Sequence, residues 1–182
     1  MLDLACGTLD LSAELGRRYP DREVVGCDFS REMMLTGRSK LSAPGLRRVS
    51  LVCGNGLTLP FEDCSFAGAA MAFGIRNIAD RPACLVELAR VLKPGGRLAI
   101  LELGVPQGRS AGMYLPYFLG LMPKAAGYLG ADPGDYVYLA KSVMNFPSPP
   151  DFAIMMEQAG YKSGFIPLTK GIANLFHGQK PY

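Results

Sequence analysis

Apolar positions along the chain change period at regular intervals. Residues 2–5 form a short apolar run ending in small side chains, and Leu11 and Leu15 then follow at helical spacing as far as Pro20. A second strand is predicted over 24–27, a helix over 31–41, a third strand over 49–53 and a fourth over 66–73. A helix over 81–92 is closed by Lys93-Pro94-Gly95-Gly96, and 97–103 returns as a strongly apolar fifth strand. Strands alternating with helices predict an α/β fold: a Rossmann-like, doubly wound, mostly parallel sheet with helices on both faces. Its ligand belongs beyond the carboxyl ends of the strands.

The alternation breaks after Leu103. Residues 104–148 are rich in aromatics, glycine and proline and read as an apolar, lid-like insertion in a single domain of 1–182. A last helix is expected near 150–159, then two strands over 161–168 and 172–178. The short connection at Lys170-Gly171 makes that final pair antiparallel. Within 111–131 Lys124 is the single charge, so three roles compete: a membrane span, a buried helix pair, and a lid over a greasy substrate lined by Met113, Tyr114, Tyr117, Phe118 and Met122. Pro116, Pro123 and a central lysine argue against a span. The same segment is the candidate for a peripheral membrane contact.

Composition narrows the classes. With 182 residues, 49% of them hydrophobic, the chain suits one globular core. Nineteen basic against 16 acidic residues give a net charge of +3, too small an excess to argue for nucleic acid. Arg38, Lys40, Arg47 and Arg48 read as a solvated face. Five cysteines show no C-x-x-C pair, which indicates neither a metal site nor a disulfide framework and makes a reducing, cytoplasmic setting the expectation. Cys6, Cys27 and Cys53 each fall near the end of a strand. The first strand starts at Met1 with no helix before it, and the chain is expected to lack an N-terminal segment.

Candidate chemistry gathers at the strand ends. Asp28 ends the second strand where a ribose would lie, and its carboxylate suits two vicinal hydroxyls. Asp3-x-Ala5-x-Gly7-x-Leu9 lacks dinucleotide G-x-G-x-x-G spacing but follows D-x-G-x-G-x-G, with Ala5 and Leu9 in two glycine positions. Such a loop lets backbone amides at Gly7 and Thr8 approach a ligand closely. Asn55-Gly56-Leu57 follows the third strand: an amide for an adenine amino group, room for the ring, and a side chain to stack on it. Arg76 and Asn77 follow the fourth strand, at the edge where donor and acceptor would meet.

The segments Ala72-Phe73-Gly74-Ile75-Arg76-Asn77, Leu59-Pro60-Phe61, V-L-K-P-G-G-R-L, the Y-x-Y-L-x-x-S run at Tyr136 to Ser142, Phe146-Pro147-Ser148, Gly171-Ile172, His177-Gly178 and Lys180 together resemble the ubiquinone/menaquinone biosynthesis C-methyltransferase family. The resemblance runs from Leu2 to Lys180. It implies a class I fold, S-adenosyl-L-methionine as cofactor, and a prenylated quinol, demethylmenaquinol or a methoxy-polyprenyl-benzoquinol, as methyl acceptor. Cofactor positions of the family correspond to Thr8, Asp28, Asn55 and Gly56; Ala72 stands where some members have serine or glycine, so only its backbone can serve.

For catalysis Arg76 is expected either to favour the quinol phenolate as a permanent cation or to organise the loop through a salt bridge. Asn77, Tyr136 and Tyr138 are expected to orient ring hydroxyls. Two positions depart from the family pattern. Leu9 replaces the third loop glycine, with expected strain or a narrowed methionine pocket. Phe176 takes the place of a histidine, leaving His177 one residue on, facing the other side of its strand. Alternatives are a methyltransferase acting on another small or lipid-like acceptor and an inactive cofactor-binding remnant. Oligomerisation is left open.

Overall fold

The computed structural model describes residues 1–105 and 133–182. Seven strands, β1 (Leu2–Leu4), β2 (Val24–Asp28), β3 (Val49–Cys53), β4 (Phe66–Ala72), β5 (Leu92–Leu103), β6 (Lys162–Leu168) and β7 (Ala173–Gln179), form one sheet in the order β3-β2-β1-β4-β5-β7-β6. β1 to β5 pair in parallel, while β7 runs antiparallel to both β5 and β6. The strand order reverses between β1 and β4, and a crevice opens there at their carboxyl ends.

Helices α1 (Asp10–Arg18), α2 (Arg31–Gly37), α3 (Arg81–Val91), α4 (Pro133–Met144) and α5 (Pro149–Gln158) complete the described fold. Alternation in β1 sorts the layers. Leu2 and Leu4 enter the main core, with Leu85 and Leu88 of α3, Phe152 of α5 and Phe176 of β7. Asp3 points the other way, to Ser12 of α1. On that side Cys6, Leu9 and Met34 form a second, small core with Leu41 and Leu51.

Three elements differ from the sequence reading. The helix expected over 31–41 ends at Gly37 and tightens to a 3-10 turn over Arg38–Ser42. A Cβ at Gly37 would lie 2.2 Å from the Thr8 carbonyl oxygen, so only glycine lets α2 press on the loop after β1. Strand β5 starts at Leu92, directly after α3: Phe66 pairs with Leu92 and Gly68 with Arg97, so residues 93–96 bulge out of the ladder rather than precede it. Helix α4 occupies the end of the segment read as a lid. Met113, Tyr114, Tyr117, Phe118 and Met122, with the Tyr136 side chain, lie outside the described residues. No described helix is long and apolar enough to cross a membrane.

Candidate active site

The crevice at the strand reversal is a cavity of about 690 Å³, lined by the loop after β1 (Ala5, Cys6, Gly7, Thr8), the tip of β2 (Asp28, Phe29), Gly54, Asn55 and Gly56 after β3, and Ala72, Phe73, Gly74 and Asn77 after β4. Its size lies within the range of small-molecule and cofactor sites. Of the nine sequence-predicted site residues, Gly7, Thr8, Asp28, Asn55, Gly56, Ala72 and Asn77 come together in this one wall. Arg76 does not line it, and the Tyr136 side chain is outside the described residues.

The loop after β1 is built on three left-handed backbone positions. Ala5, Gly7 and Leu9 have φ of 56°, 49° and 69°. These are the three glycine positions of the D-x-G-x-G-x-G pattern. The pattern therefore records a backbone requirement that two L-residues meet here under strain, each at about 1 to 2 kcal/mol. The expected narrowing of the pocket by Leu9 does not occur. Its side chain is fully buried in the small core with Cys6 and Met34, behind the loop, and the strain resides in its φ rather than in crowding.

Asp28 holds this loop against β2. One carboxylate oxygen, Oδ2, accepts from the Gly7 amide at 2.8 Å, and Oδ1 accepts from Ser30 N at 2.8 Å. Each oxygen keeps a second lone pair, so the fixed carboxylate can still accept from two ligand hydroxyls. Lys40 ties the other side: its Nζ donates to Thr8 O at 2.8 Å and to Asp10 Oδ1 at 2.7 Å. Lys40 lies exposed, on the face read as solvated, and also straps the loop after β1.

Sequence reasoning missed Asp3 as a binding group. It is 1% exposed, lines the cavity, and accepts from Ser12 Oγ at 2.5 Å through Oδ2, while Oδ1 has no partner among the described residues. Burial raises its pKa to about 6, opposed by the Ser12 hydrogen bond and assisted by nearby Asp28. An orphaned carboxylate oxygen in a ligand cavity calls for a cationic or hydrogen-bond-donating partner. The available signal was a lone aspartate between two buried leucines.

After β3, Asn55 Oδ1 accepts from Leu57 N at 3.0 Å, closing the turn at the cavity wall. Leu57 does not stack over the cavity; it packs against the main core. Nor does the absent Cβ of Gly56 open space for a ring, since that position faces Ile78, Cys84 and Leu4 at 3.4 to 3.5 Å.

After β4, Phe73 takes a left-handed φ of 57° and stands 42% exposed beside the cavity. A Cβ at Gly74 would lie 2.5 Å from the Ala5 Cβ, so the two loops touch. The Arg76 guanidinium turns away from the cavity: Nη1 donates to Glu102 Oε1 at 2.7 Å and to Phe73 O at 2.6 Å. Glu102 is fully buried and also accepts from Arg76 N at 3.2 Å and Leu103 N at 2.8 Å. Of the two roles expected for Arg76, this geometry is the loop-organising salt bridge; its charge is neutralised internally. Asn77 faces the cavity, and its Oδ1 accepts from Tyr138 on α4 at 3.1 Å.

Other titratable groups are inert or distant. Cys6 and Cys27 are buried, and burial pushes the Cys6 thiol up and the Cys27 thiol to about 12, so neither is a nucleophile at neutral pH. Cys53 is exposed, so the three cysteines do not share one environment. His177 is exposed on the opposite side of β7 from Phe176, which sits 4.6 Å from Phe152 in the aromatic core. No group of three His, Cys, Asp or Glu fit to hold a metal ion occurs among the described residues.

A reversed parallel sheet with an antiparallel β7, a strained loop after β1, an acid at the tip of β2 and a cavity between them define a Rossmann-like methyltransferase fold. The same fold occurs in a SAM dependent methyltransferase from Aquifex aeolicus, with a TM-score of 0.70 at 19% identity over 98% of this chain and 80% of that one. It recurs in a putative methyltransferase from Bacillus halodurans, with a TM-score of 0.69 at 16% identity over 100% and 92%.

The chain belongs to the ubiE/COQ5 methyltransferase family, which it matches over residues 1–180. It is 42% identical over its whole length to a demethylmenaquinone methyltransferase of Thermus thermophilus, of which it covers 82%. Over 99% of its length it is 39% identical to a ubiquinone/menaquinone biosynthesis C-methyltransferase, UbiE, of Geobacter sulfurreducens, covering 72%.

The cavity residues fit S-adenosylmethionine. Asp28 suits ribose hydroxyls and the orphaned Asp3 oxygen suits the ammonium of the methionine part, whereas the loop amides of Cys6, Gly7 and Leu9, the Gly7 amide among those expected to meet a ligand, are donated to Cys27 O, Asp28 Oδ2 and Cys6 O.

Proposed function

We propose that this chain methylates a ring carbon of a prenylated quinol, demethylmenaquinol or a methoxy-polyprenyl-benzoquinol, with S-adenosylmethionine as methyl donor. The observation that carries the reading is the joining of two loops, the Asp3-to-Leu9 loop and Phe73 to Asn77, around one cavity, together with the relatives' names. The cofactor supplies a methyl group on a sulfonium, whose departure as a neutral thioether needs little further activation.

The protein's contribution is then mainly positioning, which supplies about 7 to 11 kcal/mol when reactants are held at near-attack distance. Asp28 and Asp3 hold the donor at its two polar ends. Asn77 presents its amide to the acceptor hydroxyls, fixed by Tyr138. Arg76 is a positioning residue: by bridging Phe73 O and Glu102 it holds the loop that carries Asn77 and the exposed Phe73 ring. Residues 104–148 cover the acceptor side as a lid within a single domain; the Tyr138–Asn77 bond, reaching from α4 into the cavity wall, supports this. Tyr136 is proposed to orient the same ring.

The test is transfer of an isotope-labelled methyl group to a short-tailed demethylmenaquinol under reducing conditions, followed by mass spectrometry of the product. Label on a ring carbon supports the reading. Label on oxygen or nitrogen, or no transfer while S-adenosylhomocysteine binds, would refute it.

A further inference from the structure

The sheet has two edges, β3 on one side and β6 on the other. An open edge is a template for a further strand, and proteins blunt it with charge or proline. β6 is blunted by exposed Lys162 and Pro167. β3 is not: Val49-Ser50-Leu51-Val52-Cys53 carries neither a charge nor a proline, and none of its residues is buried.

Register with β2 decides which backbone groups this edge offers. Val24 N donates to Arg48 O and Gly54 N to Asp28 O, both at 3.0 Å. Hydrogen bonds along a parallel pair fall on alternate residues, so Ser50 and Val52 also turn to β2. The amides and carbonyls of Leu51 and Cys53 therefore point outward, away from the sheet.

A groove of about 440 Å³ runs beside the same edge. Val49, Leu51 and Cys53 form one wall, and Arg31, Leu35 and Arg38 of α2 and the turn after it form the other. No acid lines this groove, and neither arginine has an ion pair among the described residues. Helix positions i, i+4 and i+7 share a face and span about 10 Å. A strand laid along β3 turns every second side chain to that face, at intervals of about 6.6 Å. Three such side chains reach both arginines, with Leu35 between them.

We propose that β3 is a docking edge for an extended segment of another protein, which adds as a further strand and turns acid, apolar and acid side chains in alternation toward Arg31, Leu35 and Arg38. Main-chain pairing supplies affinity, and the groove reads the side chains. A second copy of this chain does not suit the edge, because its own Arg31 and Arg38 would meet these two as like charges. The interaction is independent of the cofactor and acceptor readings.

The test titrates a fluorescent seven-residue peptide, with glutamate, valine and glutamate at alternate positions and threonine between them, against the protein and follows anisotropy. One control peptide carries lysine for glutamate; the other keeps the glutamates but is N-methylated along its backbone, so it cannot pair. The acidic peptide should bind and both controls should not. Arg31→Glu combined with Arg38→Glu, at two exposed positions, should raise its Kd at least about tenfold, because two attractions become repulsions, while S-adenosylhomocysteine affinity stays at the wild-type value.

Binding that survives N-methylation would reduce the edge to a patch of charge and overturn strand addition. Equal binding of the lysine peptide would overturn the role of the two arginines, and binding of none of the peptides would overturn the docking edge itself. Wild-type dimers in light scattering that Cys53→Pro abolishes would assign the edge to a second copy instead.

Discussion

Leu9 offers a sign test of the strained loop. It is fully buried and left-handed at once, so substitution changes packing and backbone in opposite directions. Leu9→Ala keeps the strain and empties the small core of Cys6, Met34, Leu41 and Leu51; losses for such truncations run at about 2.7 to 5 kcal/mol. Leu9→Gly removes slightly more packing but relieves a left-handed strain of about 1 to 2 kcal/mol, offset by about 0.4 to 1 kcal/mol from the freer unfolded chain.

Glycine should therefore be the more stable of the two variants by roughly 0.5 to 1 kcal/mol, the reverse of its usual rank against alanine in regular structure. Both should be less stable than wild type. The assay is urea unfolding followed by circular dichroism, with midpoints compared at equal slope. Leu9→Ala more stable than Leu9→Gly would refute the left-handed strain. A variant as stable as wild type would refute the buried role of the side chain. Because Leu9 lies behind the loop, S-adenosylhomocysteine affinity should stay within about twofold for both, the scatter expected of uncoupled sites.

Three further outcomes follow from the buried charges. Asp28→Ala removes the acceptor for Gly7 N and Ser30 N as well as the proposed ribose contact, and each charged hydrogen bond is worth about 1.5 to 3 kcal/mol; calorimetric titration with S-adenosylhomocysteine should show at least a tenfold loss, and an unchanged affinity would remove Asp28 from the site. For Asp3, whose pKa is raised from 3.8 to about 6, the folded state binds the extra proton between those values. Stability from this group is thus lost as pH rises through the window, by up to about 3 kcal/mol, while affinity for a ligand carrying an ammonium group falls as pH drops below 6. Titrations at pH 5 and 7 should differ in wild type and agree in Asp3→Asn; a pH-independent wild type would refute the Asp3–ammonium contact. Glu102→Ala strands the nearly buried Arg76 guanidinium and should lower stability by about 3 to 5 kcal/mol in the same urea assay, whereas a loss below about 1 kcal/mol would mean the pair is solvent-screened.

The parallel sheet was readable because each strand is a short apolar run bounded by turn residues, and Lys170-Gly171 marked the antiparallel return. Helix α4 was not, because Pro133-Gly134 at its start read as loop and its apolar positions merge with the run before it. In the site, Asp28 was visible through its place at a strand tip. Asp3 and Glu102 were hidden by the same feature that makes them matter: each is a single acid inside an apolar strand, Leu2-Asp3-Leu4 and Leu101-Glu102-Leu103. Periodicity gives their face but not their partner. Whether a buried acid is satisfied depends on Ser12, or on Arg76 26 residues away, which only the tertiary structure brings into reach.

Those two acids divide the crevice between them. Both are buried at strand ends on either side of the topological reversal, yet Glu102 accepts three hydrogen bonds and a full positive charge from Arg76 and Leu103, while Asp3 accepts one neutral hydrogen bond and keeps an oxygen free. Among the described residues the unsatisfied carboxylate oxygen is that of Asp3, on the proposed donor side, where a cationic cofactor would offset its desolvation. The acceptor side is internally neutral, as suits an uncharged quinol that has to leave water to react. Reversing this arrangement supplies the contrast. Asp3→Asn should weaken cofactor binding with little effect on acceptor KM, and Arg76→Ala, by freeing Glu102 and the Phe73 loop, should raise acceptor KM while cofactor affinity holds. Equal effects of either variant on both ligands would show that the two loops act as one unit.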